Sequence, residues 1–311
     1  MIRFITADQQ HSDISVEFMT ELYAGKYRDH HFVFNNLLEC ELGGNVCYYE
    51  LGELVQSWTE HNGSWDDERF KPIAPNVEVI TWPWYFLLNT IATNSTRVLP
   101  DRTQFDNSRV APHKLFTCNM KRRKPHRDMM RDLLHDFDLV EHGMYSYIAD
   151  GIMITKDAPS NRWSTEANSM SSTMPPWYRE VLIDVVTETK INQTFFTEKT
   201  WKPLLGLRLP LYLHTQGCYG ELRGMGFNFP DWLRVDYIDE GIDSYARCRR
   251  IIEVLNDLKD EEPAELWYAA KPILIHNQRR AKQLALMVEP CEQAEGLIKS
   301  AQNIAKSWGN F

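Results

Sequence analysis

The sequence predicts an α/β protein built as two facing halves with a C-terminal helical tail. Three observations predict it. Short β-branched and aromatic runs alternate with helical patterns through the first half. A polar stretch rich in Ser, Asn and Pro, residues 155–176, interrupts the chain near its middle. A second strand–helix–strand pattern then follows and ends in an amphipathic helix.

In the first half the strand candidates are IRFIT (2–6), HFVFNNL (31–37), VCYYEL (46–51), VEVITW (77–82) and KLFTCN (114–119). DISVEFMTELYAG (13–25) has apolar positions three and four apart and stops at Gly25, so it reads as a helix. After KLFTCN comes MKRRKPHRDMMRDLLHDFDLV (120–140). From Pro125 onward this is a helix on whose face Met129, Leu133, Leu134 and Phe137 can meet. Pro125 suits the first turn, where a missing N–H loses nothing. A strand therefore runs through a basic turn into a helix start, a sound place to hold an anion.

Beyond the polar stretch, VLIDVVTE (181–188) reads as a buried strand, EKTWKPLLGL (198–207) as a short helix and LPLYLHT (209–215) as another strand. A glycine-containing turn is expected over 217–226, followed by LRVDYID (233–239). DSYARCRRIIEVLNDL (243–258) is amphipathic, and a helical tail broken near Pro290 fills 264–308. The expected domains are 1–155, 156–275 and a helical tail, 276–311. Strands that alternate with helices make a largely parallel sheet of nucleotide-binding type, whose ligands sit at the carboxyl ends of the strands. Both the basic turn and Thr197-Glu198-Lys199 fall just after a predicted strand.

Composition bounds the partners. The 311 residues suit one large or two ordinary domains. With 43% apolar and 25% charged residues, and 10 Trp, 13 Tyr and 14 Phe, a substantial core is expected. A net charge of −9 argues against a general polyanion binder. The run VEVITWPWYFLL (77–88) is shorter than the roughly 18–20 residues a membrane span needs. The N-terminus shows no basic-then-apolar leader. No membrane insertion and a cytoplasmic setting (the host cytoplasm for a viral protein) are expected. The six cysteines are scattered without a CxxC pair, so reduced buried thiols are expected and structural zinc is not. No metal site is expected: the histidines lack ligand spacing, and Asp236, Asp239, Glu240 and Asp243 read as capping groups.

Charge inside the apolar stretch TFFTEKTWKPLLGLRLPLYL (194–213) asks for a reason. Lys199 in a first helical turn opposes the helix dipole unless an anion binds there, whereas Glu198 suits that position. An acid for hydroxyls beside a base for phosphate fits a nucleotide sugar. A solvated helix start with a local ion pair is the plainer alternative. Lys202 and Arg208 read as surface charges, with Lys202 one turn from the phosphate site.

The order VVTET…FFTEKTWKPLLGLRLPLYL resembles the donor-binding segment of the α-1,3-fucosyltransferase-like glycosyltransferases, of the Thr-Glu-Lys type encoded by many large bacteriophages. The upstream KLFTCNMKRRKPHRDMMRDLLHDFDLVEHG and the downstream DYIDEGIDSYARCRRIIEVL are similar to that family's other blocks, so the likeness runs over 113–258. It implies a GT-B fold, two facing Rossmann-like domains, and inverting, metal-independent transfer from a nucleotide-diphosphate sugar with no separate cofactor. The acceptor would be a glycan or a hydroxymethylated base of phage DNA. Glu198 is similar to the glutamate on the donor's ribose or sugar, and Lys199 and Arg127 to the cations on the diphosphate. Glu188 matches the acid of a Phe-Glu-Asn element that reads Thr-Glu-Thr here. Thr197 and Lys202 complete the expected donor set. The 1–155 domain would be the acceptor side and would supply the general base. Asp8 and Asp13, after the first strand, are the candidates, with His11, Glu39 and Glu50 also open. Asp13 as a helix N-cap is the alternative. The competing function is a non-catalytic protein that binds a nucleotide sugar, or nucleic acid through the basic turn.

Overall fold

Parallel strand pairing organises both halves of the chain. The structure is a computed structural model that describes residues 2–6, 24, 31–36, 55–59, 77–81, 84–97, 111–121, 123–151, 174, 176–188, 191, 196–289 and 295–307. The chain divides into two units, Met1–Tyr85 and Phe86–Phe311.

In the first unit, β1 (Ile2–Thr6), β2 (His31–Asn36), β3 (Val55–Thr59) and β4 (Val77–Thr81) form a four-stranded parallel sheet in chain order. Three of these strands match the runs expected from the sequence. β3, VQSWT, does not, because Gln56 and Ser57 break the apolar run that marks the others. The expected strand 46–51 and helix 13–25 lie outside the described residues.

In the second unit the apolar run after Pro83 continues as helix α1 (Tyr85–Arg97), which buries Phe86, Leu87, Leu88 and Ile91. A second parallel sheet follows, made of β5 (Lys114–Met120), β6 (Gly143–Tyr147), β7 (Val181–Thr187) and β8 (Leu209–Leu213), in the order β6-β5-β7-β8. The sequence assigns 114–119 to a first domain ending at 155. The structure instead places β5 at the centre of this second sheet, paired with β7 through Phe116↔Ile183 and Cys118↔Val185. Parallel strands need a long crossover, and the polar stretch lies within the connection from β6, past β5, to β7 inside one unit.

Helix α2 (Pro125–Asp136) follows β5 with Pro125 in its first turn, and α3 (Glu198–Leu205) follows β7. The expected turn at 217–226 is largely a helix, α4 (Cys218–Gly224), which buries Cys218, Tyr219 and Leu222. The Tyr219 hydroxyl accepts the Tyr212 N–H at 2.7 Å and so covers the outer edge of β8. Residues 235–239 form α5 (Val235–Asp239). Asp243 caps α6 (Ser244–Leu258) by accepting from Ala246 N at 2.7 Å. α7 (Pro263–Met287) and α8 (Glu295–Ser307) make the expected helical tail. No described helix is long and apolar enough to cross a membrane.

Side chains alternate across a strand, so the sheet has two faces. On one, Tyr212 donates to Thr200 O of α3 at 2.8 Å, and Gln278 of α7 donates to Leu205 O of α3 at 2.7 Å. On the other, Cys248 of α6 lies 3.9 Å from the Met130 sulfur of α2. Cys118, Cys218 and Cys248 are buried free thiols.

The β5–β6 contact is close. A Cβ on Gly143 would stand 2.6 Å from carbons of the buried Phe116 ring. Gly143→Ala should therefore destabilise the second unit by about 1–3 kcal/mol through overpacking. Thermal or urea unfolding measures this, and Phe116→Leu in the same chain should recover part of the loss. Wild-type stability in Gly143→Ala would contradict the β5–β6 register.

Candidate functional site

The strand order reverses between β5 and β7. From β5 the chain moves to β6 on one side, and from β7 it moves to β8 on the other. The helices that follow the two central strands pack on opposite faces, and open α/β sheets bind ligands at the carboxyl ends beside such a reversal.

The first turn of α2 carries His126 and Arg127, both buried. Arg127 Nη2 donates to Thr187 O at 3.0 Å. His126 Nε2 lies 2.9 Å from Glu188 O, and a carbonyl only accepts, so this nitrogen holds the proton. Burial pushes the His126 pKa down to about 4. The charges of Arg127, Lys124 and Lys199 add to that, against the backbone bond to Glu188. His126 is thus a neutral donor that fastens the start of α2 to the end of β7.

The start of α3 is fastened to the same residues. Glu188 is fully buried just after β7. Its carboxylate accepts from Thr197 Oγ1 at 2.9 Å and Thr200 Oγ1 at 2.8 Å, and Lys199 Nζ lies 3.4 Å away. Thr197 is also the N-cap of α3 and accepts from Lys199 N at 3.2 Å. Burial alone would raise the Glu188 pKa. Lys199, His214 and the two threonine hydroxyls outweigh it and hold the group below the ordinary carboxylate value. Glu188 is therefore an ionised positioning group whose hydrogen bonds point into the protein.

The other expected donor residues spread along α3. Glu198 and Lys199 are half-buried at its start. Lys202 is half-buried one turn further on, its pKa lowered mainly by burial, with Glu198 and Asp184 acting the other way. Asp184, in mid-β7, is pushed up to about 7, chiefly by burial, and accepts from the Tyr178 hydroxyl. Lys202 thus lies in the field of Asp184 as well as that of the helix start. Arg208 is not a surface charge: it is fully buried. Asp8, Asp13, His11, Glu39 and Glu50 lie outside the described residues.

Sequence reasoning missed Thr200, His126 and His214. Thr200 stands three residues after Thr197, which puts both hydroxyls on one side of the helix start. His214 follows Leu213, which pairs with Thr187, so register alone sets it beside Glu188. Its Nδ1 accepts from Thr215 N at 2.7 Å. Two arginines, one in the basic turn and one in α2, are matched by acids. Arg123 bonds Asp150, and Arg131 reaches Asp150 at 2.5 Å and Asp132 at 2.7 Å.

No family model and no curated protein matches the chain. The chemistry of the site therefore rests on its geometry. Two cationic side chains stand at two helix starts, Arg127 anchored by Thr187 O and Lys199 anchored by Glu188. A cation in a first turn opposes the helix dipole, and an anion bound between them would relieve both.

Because the folded-state pKa of Glu188 is depressed, its contribution to stability is present above the unfolded value, about 4.3, and is lost as pH falls through the folded value. Wild type should lose stability on acidification below about pH 4. Glu188→Gln should lose about 1.5–3 kcal/mol at pH 7 and show a flatter acid limb. Urea unfolding between pH 7 and 3 reads both, and parallel acid limbs would rule the assignment out.

Proposed function

We propose that the protein is a glycosyltransferase of GT-B type that moves a sugar, with inversion, from a nucleotide-diphosphate donor to an acceptor hydroxyl. One observation carries this reading: Arg127 and Lys199 bracket the carboxyl end of β7 at the strand-order reversal, each at the start of a helix. The likeness of Thr197-Glu198-Lys199 to the fucosyltransferase-like donor motif supports it.

In this reading the diphosphate lies between Arg127 and Lys199, with the N-terminal turns of α2 and α3 directed at it. Fixed cations and helix dipoles stabilise the charge that develops on the leaving diphosphate. Glu198 accepts hydroxyls of the ribose or sugar. Glu188 holds Lys199 without touching the donor. The acceptor oxygen attacks the anomeric carbon as the bond to the diphosphate breaks, and a general base takes the acceptor's proton. Asp8 or Asp13, which follow β1 in the chain, would be that base. The acids matched to Arg123 and Arg131 weaken the case for nucleic-acid binding through the basic turn.

The first test is a thermal-shift screen of nucleoside diphosphates, because a ligand of the folded state raises its stability. Lys199→Ala should weaken the best ligand by about 1.5–3 kcal/mol, the worth of a charge-assisted hydrogen bond, and Arg127→Ala by a similar amount. Unchanged affinity in both would remove the donor site. Binding without turnover of any nucleotide sugar would leave a binding protein in place of an enzyme.

A second test concerns the metal. Transfer should persist in EDTA, since the two cations supply the charge a divalent ion would bring. Complete loss of activity, restored by Mn²⁺, would contradict this.

A further inference from the structure

Arg208 carries a buried charge that the described structure does not answer. The side chain is fully buried, and Nε, Nη1 and Nη2 all lack a hydrogen-bond partner. Burial lowers its pKa to about 10, with Tyr178 acting in the opposite sense, so it remains charged at neutral pH. A guanidinium presents five N–H donors, and leaving such a group buried and unpaired is strongly destabilising.

The residue before it is also held in a costly state. Leu207 has φ 55°, the left-handed region that a leucine side chain disfavours. At Gly206 a Cβ would stand 2.9 Å from both Lys202 O and the Tyr178 ring. Gly206, Leu207 and Arg208 make the turn from α3 into β8. The last turn of α3 favours a cation through its dipole. Three of its carbonyls are nevertheless taken by other donors: Lys202 O accepts from Gly206 N at 2.7 Å, Pro203 O from Arg208 N at 2.9 Å and Leu205 O from the Gln278 amide at 2.7 Å. Tyr178 lies close by, with its hydroxyl bonded to Asp184.

We propose that Arg208 anchors a second, internal binding site for a small oxyanion, a phosphate or carboxylate group, at the amino edge of the second sheet. The planar fork of the guanidinium matches two oxygens of either group. Arg208 precedes Leu209, which pairs with Ile183 near the start of β7, whereas Lys199 sits beside the end of that strand. About 12 Å of α3 separates the two positions. The oxyanion site is therefore independent of the proposed donor site.

The test uses the whole chain, exchanged into an anion-poor buffer at fixed ionic strength. Inorganic phosphate or acetate is titrated while the thermal midpoint is followed. The midpoint of wild type should rise by a few degrees with at least one of the two anions. Phosphate acting alone assigns a phosphate group, and acetate acting alone assigns a carboxylate. Lys199→Ala should keep the rise. Arg208→Met should abolish it and, without added anion, unfold no earlier than wild type. If Arg208→Met does not fold, Arg208→Lys carries the readout, because it keeps the charge without the fork and should shrink the rise several-fold. No rise in wild type, or a rise lost in Lys199→Ala and kept in the Arg208 variants, would overturn the proposal.

Discussion

The second unit depends on one buried carboxylate. Glu188 follows the last residue of β7 and accepts from the N-cap of α3, from the next threonine on that helix and from Lys199, while its own carbonyl accepts the hydrogen bond of His126 of α2. A buried ion is tolerated only when its hydrogen bonds are filled, and here they are filled from elements that would otherwise have no reason to meet. The consequence is geometric. Two helices that leave the sheet toward opposite faces begin within hydrogen-bonding reach of the same residue.

That arrangement fixes two cationic side chains beside the carboxyl end of β7. Lys199 is held by a bond to Glu188, and Arg127 by a bond to the carbonyl before it. Under the proposed function neither side chain would have to be ordered on ligand binding, which would lower its entropic cost. The neutral state of His126 matters too, since a protonated imidazole there would add a third cation to a buried cluster; burial and the neighbouring charges keep it neutral.

Much of the fold was legible. β1, β2, β4, β5, β7 and β8 announce themselves through β-branched and aromatic runs, and α2 and α6 through apolar spacing with Pro125 and Asp243 at their starts. α4 was hidden because Gly217, Gly220, Gly224 and Gly226 read as a turn, while Tyr219 and Leu222 supply the buried face that overrides them. The position of β5 was hidden because strand order is not a local property; only pairing with β7 shows it. The place of Thr197, Glu198 and Lys199 at a helix start was legible. The role of Glu188 was not. It depends on the parallel register that carries a residue nine positions upstream of Thr197 under the start of α3.

The two ends of α3 make a physical contrast. At its start a buried carboxylate faces the positive end of the helix dipole, and three side chains complete its hydrogen bonds. Three residues past its end, Arg208 carries a buried guanidinium with no hydrogen bond. Dipoles alone cannot pay for a buried ion, because desolvation removes directed bonds that a diffuse field does not replace. The protein meets that requirement for Glu188 from its own residues. For Arg208 the requirement stands open, and an oxygen-bearing anion from outside the chain, as proposed above, would supply the directed bonds that the described residues do not.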